Sequence, residues 1–196
     1  MSNRVLLSLL APCVVLLGAC ITHITEDKTQ NPPPAERFAN FNRFEMNRLV
    51  LAPGYAGQNP NERALAKIQQ NVSLKMDPAL AQWNASKAKE SPARTLVIKP
   101  VVTEIKFINA NARIWAGPLA GSSAVVLRAE ITERESGKII ATPEFYARAA
   151  AMGGTWTFGI TDNLMLVRVA DRLSSYIEAN YDKAVGGPTG AKPAKK

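Results

Sequence analysis

The chain has little of what enzymes and cofactor proteins most often build their chemistry from. Its 196 residues hold one histidine, His23, and two cysteines, Cys13 and Cys20, all close to the N-terminus. A Ser-His-Asp or Cys-His arrangement on a folded body downstream is therefore excluded, and so are zinc or haem sites built on Cys and His. No cofactor and no metal site are expected. Aromatic residues make up only 7% of the chain, so its core must rest on Val, Ile, Leu and Ala. The apolar run from Val5 to Leu17, broken only by Ser8, is shorter than the ~20 residues a membrane span needs. Acidic residues are also scarce, at 16 against 24 Lys and Arg, which leaves a formal net charge of +8.

What the N-terminus does carry is an export signal. Arg4 supplies the positive start, and the Val5–Leu17 run has the length of a signal-peptide core. The run ends in Leu17-Gly18-Ala19-Cys20, whereas an ordinary cleavage site wants a small residue where Leu17 stands. This tetrapeptide resembles the lipobox of the lipoprotein signal peptidase. The resemblance implies cleavage before Cys20, with diacylglycerol on its thiol and acylation of its amine. Two or three acyl chains, at about 0.8 kcal/mol per buried methylene, anchor a protein stably where one chain is marginal. Cys13 leaves with the signal peptide, so no disulfide remains possible. Ile21 follows the cysteine, where aspartate would favour retention at the inner membrane in bacteria with two membranes. By that resemblance the expected address is the outer membrane, facing the periplasm. An exported basic chain seldom meets nucleic acid, so no nucleic-acid partner is expected. Anionic lipid headgroups or lipopolysaccharide are the expected counter-charges, unless the basic tail serves only to solvate the C-terminus.

The rest divides into a tether (residues 20–45), a folded domain (46–185) and a disordered basic tail (186–196). Pro32, Pro33 and Pro34 favour extended chain in the tether, which would reach roughly 80 Å. Phe38, Phe41 and Phe44 recur every third residue there, a stripe that either touches membrane or partner or packs back on the domain. Lys192, Lys195 and Lys196 lie among glycines and prolines in the tail, with no acid beside them. Within the domain, Leu49–Leu51 reads as a short strand. Asn59-Pro60-Asn61-Glu62 starts a helix, and Asp77-Pro78 reads as the start of a second. Residues 96–108 are β-rich, with a change of apolar phase after Pro100 that calls for a bulge or an edge strand. Val125, Leu127, Ala129 and Ile131 alternate with polar residues in a strand with one wet face. Glu135-Ser136-Gly137-Lys138 is a hairpin turn, and Leu166, Val169, Ala170, Leu173 and Ile177 form the buried stripe of a final helix that Asp162 can cap. That order predicts an α+β two-layer sandwich, a mostly antiparallel sheet with helices on one face.

Few residues on the domain offer chemistry. Glu133 and Glu135 are the closest acids, and turns ordinarily carry such charges. Gly117-Pro118-Leu119-Ala120-Gly121 lacks the Gly-Lys-Ser/Thr ending of a phosphate loop, and a strand rather than a helix follows it. Trp156 and Phe158, in the glycine-hinged stretch Gly153–Gly159, are the candidate partner-binding residues. Alternatively, they form a lid over the sheet edge.

Arg113-Ile-Trp-Ala-Gly117-Pro-Leu-Ala-Gly121, then an alternating strand, then Glu135-Ser-Gly137-Lys138-Ile-Ile, resembles an uncharacterised family of bacterial lipoproteins. Their pattern is an arginine, a glycine-rich turn, a strand and a Thr-Gly-Lys-like hairpin. Ser136 stands here for the usual threonine, and Pro118 interrupts the glycine turn. The likeness spans about residues 95–181 and implies no catalytic residue. More loosely, the expected fold is similar to the α+β domains of periplasmic assembly lipoproteins, such as the curli-secretion lipoprotein and the penicillin-binding-protein activators. Together these readings imply a non-enzymatic envelope lipoprotein that binds or helps assemble another envelope protein. The alternative is a carrier for a lipid or other small molecule, with the helices covering an apolar groove.

Overall fold

The computed structural model describes residues 28–87, 92–107, 122–149 and 160–191. In chain order these form β1 (Gln30–Asn31), a 3-10 turn (Phe38–Asn40), β2 (Arg43–Met46), β3 (Val50–Leu51) and α1 (Asn59–Lys87). Then come β4 (Thr95–Lys106), β5 (Ala124–Glu133), β6 (Ile139–Ala141), β7 (Glu144–Arg148), α2 (Ile160–Asp182) and β8 (Gly187–Pro188). The long antiparallel pair β4–β5 is the spine of a six-stranded sheet. β2 and β3 run parallel to β4 along its outer side, and β6 and β7 run antiparallel to β5 along the other. Both helices lie on one face, where Ile68, Val72, Met76, Val169, Leu173 and Ile177 pack with Leu96, Ile98, Leu127, Ile131 and Phe145 in one core. The α+β sandwich anticipated from the hydrophobic patterning is thus the architecture of the protein.

One helix stands where two were expected. Ala64, Ile68, Val72, Met76 and Leu80, spaced four apart, are all buried, so the apolar stripe passes uninterrupted through Asp77-Pro78. Pro78 lies on the exposed side, and the carbonyl it leaves without a donor belongs to Leu74, a residue 70% exposed. Water can serve that carbonyl, so the proline is tolerated inside the helix. The last helix begins at Ile160, placing Asp162 in its first turn rather than before it.

Pro100 sits in the middle of the central strand β4, a place prolines usually avoid. Its cross-strand partner is Ala129, whose N–H donates to the Pro143 carbonyl, away from β4. The pair therefore exchanges no hydrogen bond, and Pro100 turns its missing donor to the opposite side. On that side β2 has ended at Met46, aligned with Ile98, and β3 begins at Val50, aligned with Val101. The proline faces the gap between two collinear strands. The register irregularity lies further on, between Val102 and Glu104, and it carries the inward phase from Val102 to Ile105.

The folded body is longer at both ends than the expected 46–185. Phe38 and Phe41 are fully buried and Phe44 is 3% exposed, so the stripe belongs to the core. The 3-10 turn sets the Phe38–Phe41 spacing, with the Phe41 N–H donating to the Phe38 carbonyl, and Phe44 follows in β2. Phe38 meets Tyr176, while Phe44 meets Trp83 and Tyr181. Burying each ring contributes on the order of 1.5–3 kcal/mol, enough to hold the segment down. At the other end, residues 187 and 188 pair with 31 and 30 as β8 against β1, and Thr189 is 4% exposed. Asn180, fully buried, makes this return possible: its Oδ1 accepts from the Val185 and Gly186 N–H groups, each at 2.8 Å, and its Nδ2 donates to the Tyr176 and Gly186 carbonyls. Gly186 takes φ +74° and lies so close to the Asn31 and Pro32 backbone that no side chain fits.

Candidate functional site

The densest polar cluster forms around Arg94, just ahead of β4. Its two terminal nitrogens donate to the two oxygens of Glu36, each at 3.1 Å. Its Nε donates to Glu133 at 2.6 Å, and its guanidinium lies 4.4 Å from the centre of the Phe41 ring. Asn40 and Lys138 also donate to Glu36, and the Ser136 hydroxyl donates to Glu133. Hydrogen bonding from Arg94 pulls the Glu36 carboxyl down to about 2, and the same guanidinium lowers Glu133. Burial pushes the Glu135 carboxyl up, but the Thr95 N–H donating to it at 2.8 Å contributes to a net shift downward. Each of these carboxylates is held ionised by a donor from another part of the chain. Glu133 and Glu135, the acids singled out beside the turn, thus fasten the β5–β6 hairpin, β4 and the N-terminal segment to one another. A group kept fully ionised and saturated with donors is poorly suited to proton transfer near neutral pH.

The face of the sheet away from the helices carries three cross-strand ion pairs: Glu45 with Arg134, Lys99 with Glu130, and Arg128 with Glu144. An open cavity of about 510 Å³ lies over part of it, lined by Asn47, Val97, Lys99, Glu130, Arg134 and Ile139 among others. Ile139 is 57% exposed at its rim. Nearby on the same face, Ala124, Val126 and Tyr146 form a small apolar cluster of their own.

Tyr146 is a second junction. Its N–H donates to the Thr189 carbonyl at 2.8 Å, its carbonyl accepts from Arg172, and its hydroxyl accepts from Arg148 Nε at 2.7 Å. Thr189 in turn donates through Oγ1 to the Lys28 carbonyl at 2.6 Å. One residue therefore ties β7, α2, β8 and the start of the folded chain together.

Cys20, Trp156 and Phe158 lie outside the described residues, as do Arg113 and the Gly117–Gly121 turn. Among the described residues no group of three or more His, Cys, Asp and Glu is placed to hold a metal ion. No helix among them is long and apolar enough to cross a membrane. The Arg94 and Tyr146 junctions were not foreseen. Glu36 and Arg94 are 58 positions apart, and no local pattern marks them as partners.

No protein-family model matches the chain, and no curated protein sequence matches it. Several solved structures share features of its shape. PelC, a dodecamer from Paraburkholderia phytofirmans, is 13% identical, with 71% of this chain and 92% of that one covered at a TM-score of 0.39. A DUF330 protein from Xanthomonas campestris is 7% identical, covering 79% and 94% at 0.37. A candidate lipoprotein from Caulobacter crescentus is 10% identical, covering 67% and 89% at 0.27. Identities and scores this low assign neither a family nor a function.

Proposed function

We propose that this chain is a lipid-anchored, non-catalytic envelope lipoprotein that serves as a protein-interaction or assembly module at the outer membrane. The observation that carries the anchor is Leu17-Gly18-Ala19-Cys20 at the end of the Val5–Leu17 run, followed by a folded body already under way at Lys28. Seven residues separate Cys20 from Lys28, a leash of at most about 28 Å rather than a long tether. A domain held that close to a membrane meets partners in the membrane or at its surface.

The interaction role is supported by the sheet. One face packs under both helices, while the other offers an open, polar-lined cavity with Ile139 exposed at its edge. A carrier of lipid would need a deep apolar cavity, and this one is lined by Lys99, Glu130 and Arg134. The test is site-specific photocrosslinking in intact envelopes, with the probe at Ile139 on the open sheet face or at Leu74 on the exposed side of α1. A discrete protein adduct from Ile139 and none from Leu74 supports an interaction face on the sheet. A stoichiometric lipid recovered with the purified protein, with no adduct at either position, would replace this reading with the carrier.

A further inference from the structure

Helix α1 runs along the β2–β3 edge of the sheet and covers it with side-chain amides. Asn84 takes both main-chain groups of Phe44: its Oδ1 accepts from the Phe44 N–H at 2.7 Å, and its Nδ2 donates to the Phe44 carbonyl at 2.9 Å. Gln69 Oε1 accepts from the Leu49 N–H at 2.8 Å. Met46 lies between these two covered positions. The Arg43 and Asn47 N–H groups donate to the Arg94 and Ile98 carbonyls, so these residues turn their main chain toward β4. Met46, like Phe44, therefore turns its own away from β4. Among the described residues nothing takes the Met46 N–H or carbonyl. This uncovered stretch of edge opens into a cleft of about 340 Å³ beside α1, lined by Met46, Asn47, Arg48, Gln69, Ser73 and Asp77. Pockets for small ligands begin at about 300 Å³.

Two opposite charges stand in this cleft without neutralising each other. Arg48 and Asp77 are exposed, and neither side chain has an ion-pair or hydrogen-bond partner among the described residues. Ser73 accepts from Gln69 Nε2 at 3.0 Å, which leaves its hydroxyl proton for another acceptor. Gln69, Ser73 and Asp77 follow one line of α1, each about 6 Å from the next along the axis. Leu49 lies by Gln69 and Phe44 by Asn84, so the edge and α1 run in opposite directions. Arg48 thus falls toward the Ser73 end of the cleft, and Asp77 lies further along, toward Asn84.

We infer that this cleft binds a short zwitterionic peptide of dipeptide size. Its carboxylate sits on Arg48 and Ser73, its ammonium on Asp77, and its backbone lies against Met46, whose N–H and carbonyl pair with main-chain groups of the ligand. Each part of such a ligand meets a group of the matching kind. An extended dipeptide separates its charged ends by about 6 Å, which is the rise from Ser73 to Asp77 on the helix. A longer added strand does not fit, because its further residues would meet Asn84 at Phe44 or Gln69 at Leu49. The site goes beyond the role proposed for the open sheet face, although Asn47 lines both cavities, and it does not rest on acylation at Cys20.

The test titrates the purified full chain, held in detergent, with alanyl-alanine and follows the heat of binding. Two blocked forms are titrated beside it: N-acetyl-alanyl-alanine, which lacks the ammonium, and alanyl-alanine amide, which lacks the carboxylate. Each block should weaken binding about tenfold or more, as expected for loss of a charge-assisted contact. Arg48→Gln should weaken alanyl-alanine by a similar factor and bind the amide no worse than the parent does. Asp77→Asn should do the same with respect to the acetylated form. Both positions are exposed, so melting temperatures should stay unchanged. The blocked ligands probe the same contacts in the unmutated protein. Absence of saturable alanyl-alanine binding up to about 10 mM overturns the inference. So does binding that either substitution leaves intact, and so does equal affinity for the free and blocked peptides.

Discussion

Arg94 grips Glu36 through both of its terminal nitrogens, and the two residues come from opposite sides of the first helix in sequence. The pair, with Glu133 as a third member, closes the N-terminal segment over the edge of the core. Phe41 lies directly beneath the guanidinium, so charge and apolar burial hold the same stretch in place.

That clasp makes stability depend on acid. The Glu36 carboxyl is held at about 2 in the folded protein against an ordinary value of 4.5. A depressed carboxylate contributes stability above its unfolded value, and the contribution is lost as pH falls through the folded one. Melting temperature should therefore fall as pH is lowered from about 4.5 toward about 2. Glu36→Gln should melt lower than the parent at neutral pH and should show a shallower fall in that window. Glu133 and Glu135, lowered as well, keep the fall from vanishing. Parallel melting curves that keep the same separation at every pH would contradict this.

The aromatic stripe gives a second prediction. Phe41→Ala should cost on the order of 3–5 kcal/mol of unfolding free energy, the usual range for a fully buried phenylalanine. A flexible tether would lose almost nothing. Urea unfolding followed by tryptophan fluorescence measures the difference directly.

Asn180 gives a third. Replacing it with alanine strands the buried Gly186 N–H and removes the partner of the Val185 N–H, at about 1–3 kcal/mol for an unsatisfied buried group. The loss should be local first. Amide exchange should accelerate in residues 185–191 and in their partners 29–31 before the helices are affected, and uniform acceleration throughout the chain would count against it.

The anchor and its sorting are tested in cells. Cys20→Ser should leave uncleaved precursor without fatty-acid label, and retained label would refute lipidation at this residue. Ile21→Asp should move the protein toward the inner membrane on a density gradient. An unchanged position would remove the argument for outer-membrane sorting.

Trp156 and Phe158 remain the candidate partner-binding pair. If they form a binding spot, replacing both with alanine should leave the melting temperature nearly unchanged and lower the yield of partner crosslink, since such rings can carry about 2 kcal/mol or more each. A large drop in melting temperature with crosslinking per folded molecule intact would make them structural.

Local patterns in the sequence were enough for β4, β5, the final helix and the hairpin turn. The alternation in β5 and the stripe of α2 each report a face that must be buried, and Gly137, with φ +69°, supplies the turn. The N-terminal signal is equally local, a string of neighbouring residues with a chemical address. Only the tertiary structure decided where the body begins and ends, because that depends on what each end finds to pair with. Phe38, Phe41 and Phe44 read equally well as a surface stripe until Tyr176, Trp83 and Tyr181 are brought against them. Pro78 reads as a helix start until Met76 and Leu80 are seen to share one buried line with Ile68 and Val72. Pro100 reads as a disruption until the gap between β2 and β3 appears opposite it. Likewise, nothing in the neighbourhood of Arg94 or Tyr146 announces a junction. Apart from Arg148 beside Tyr146, their partners lie 26 to 58 residues away, and a hydrogen bond leaves no periodicity in the chain.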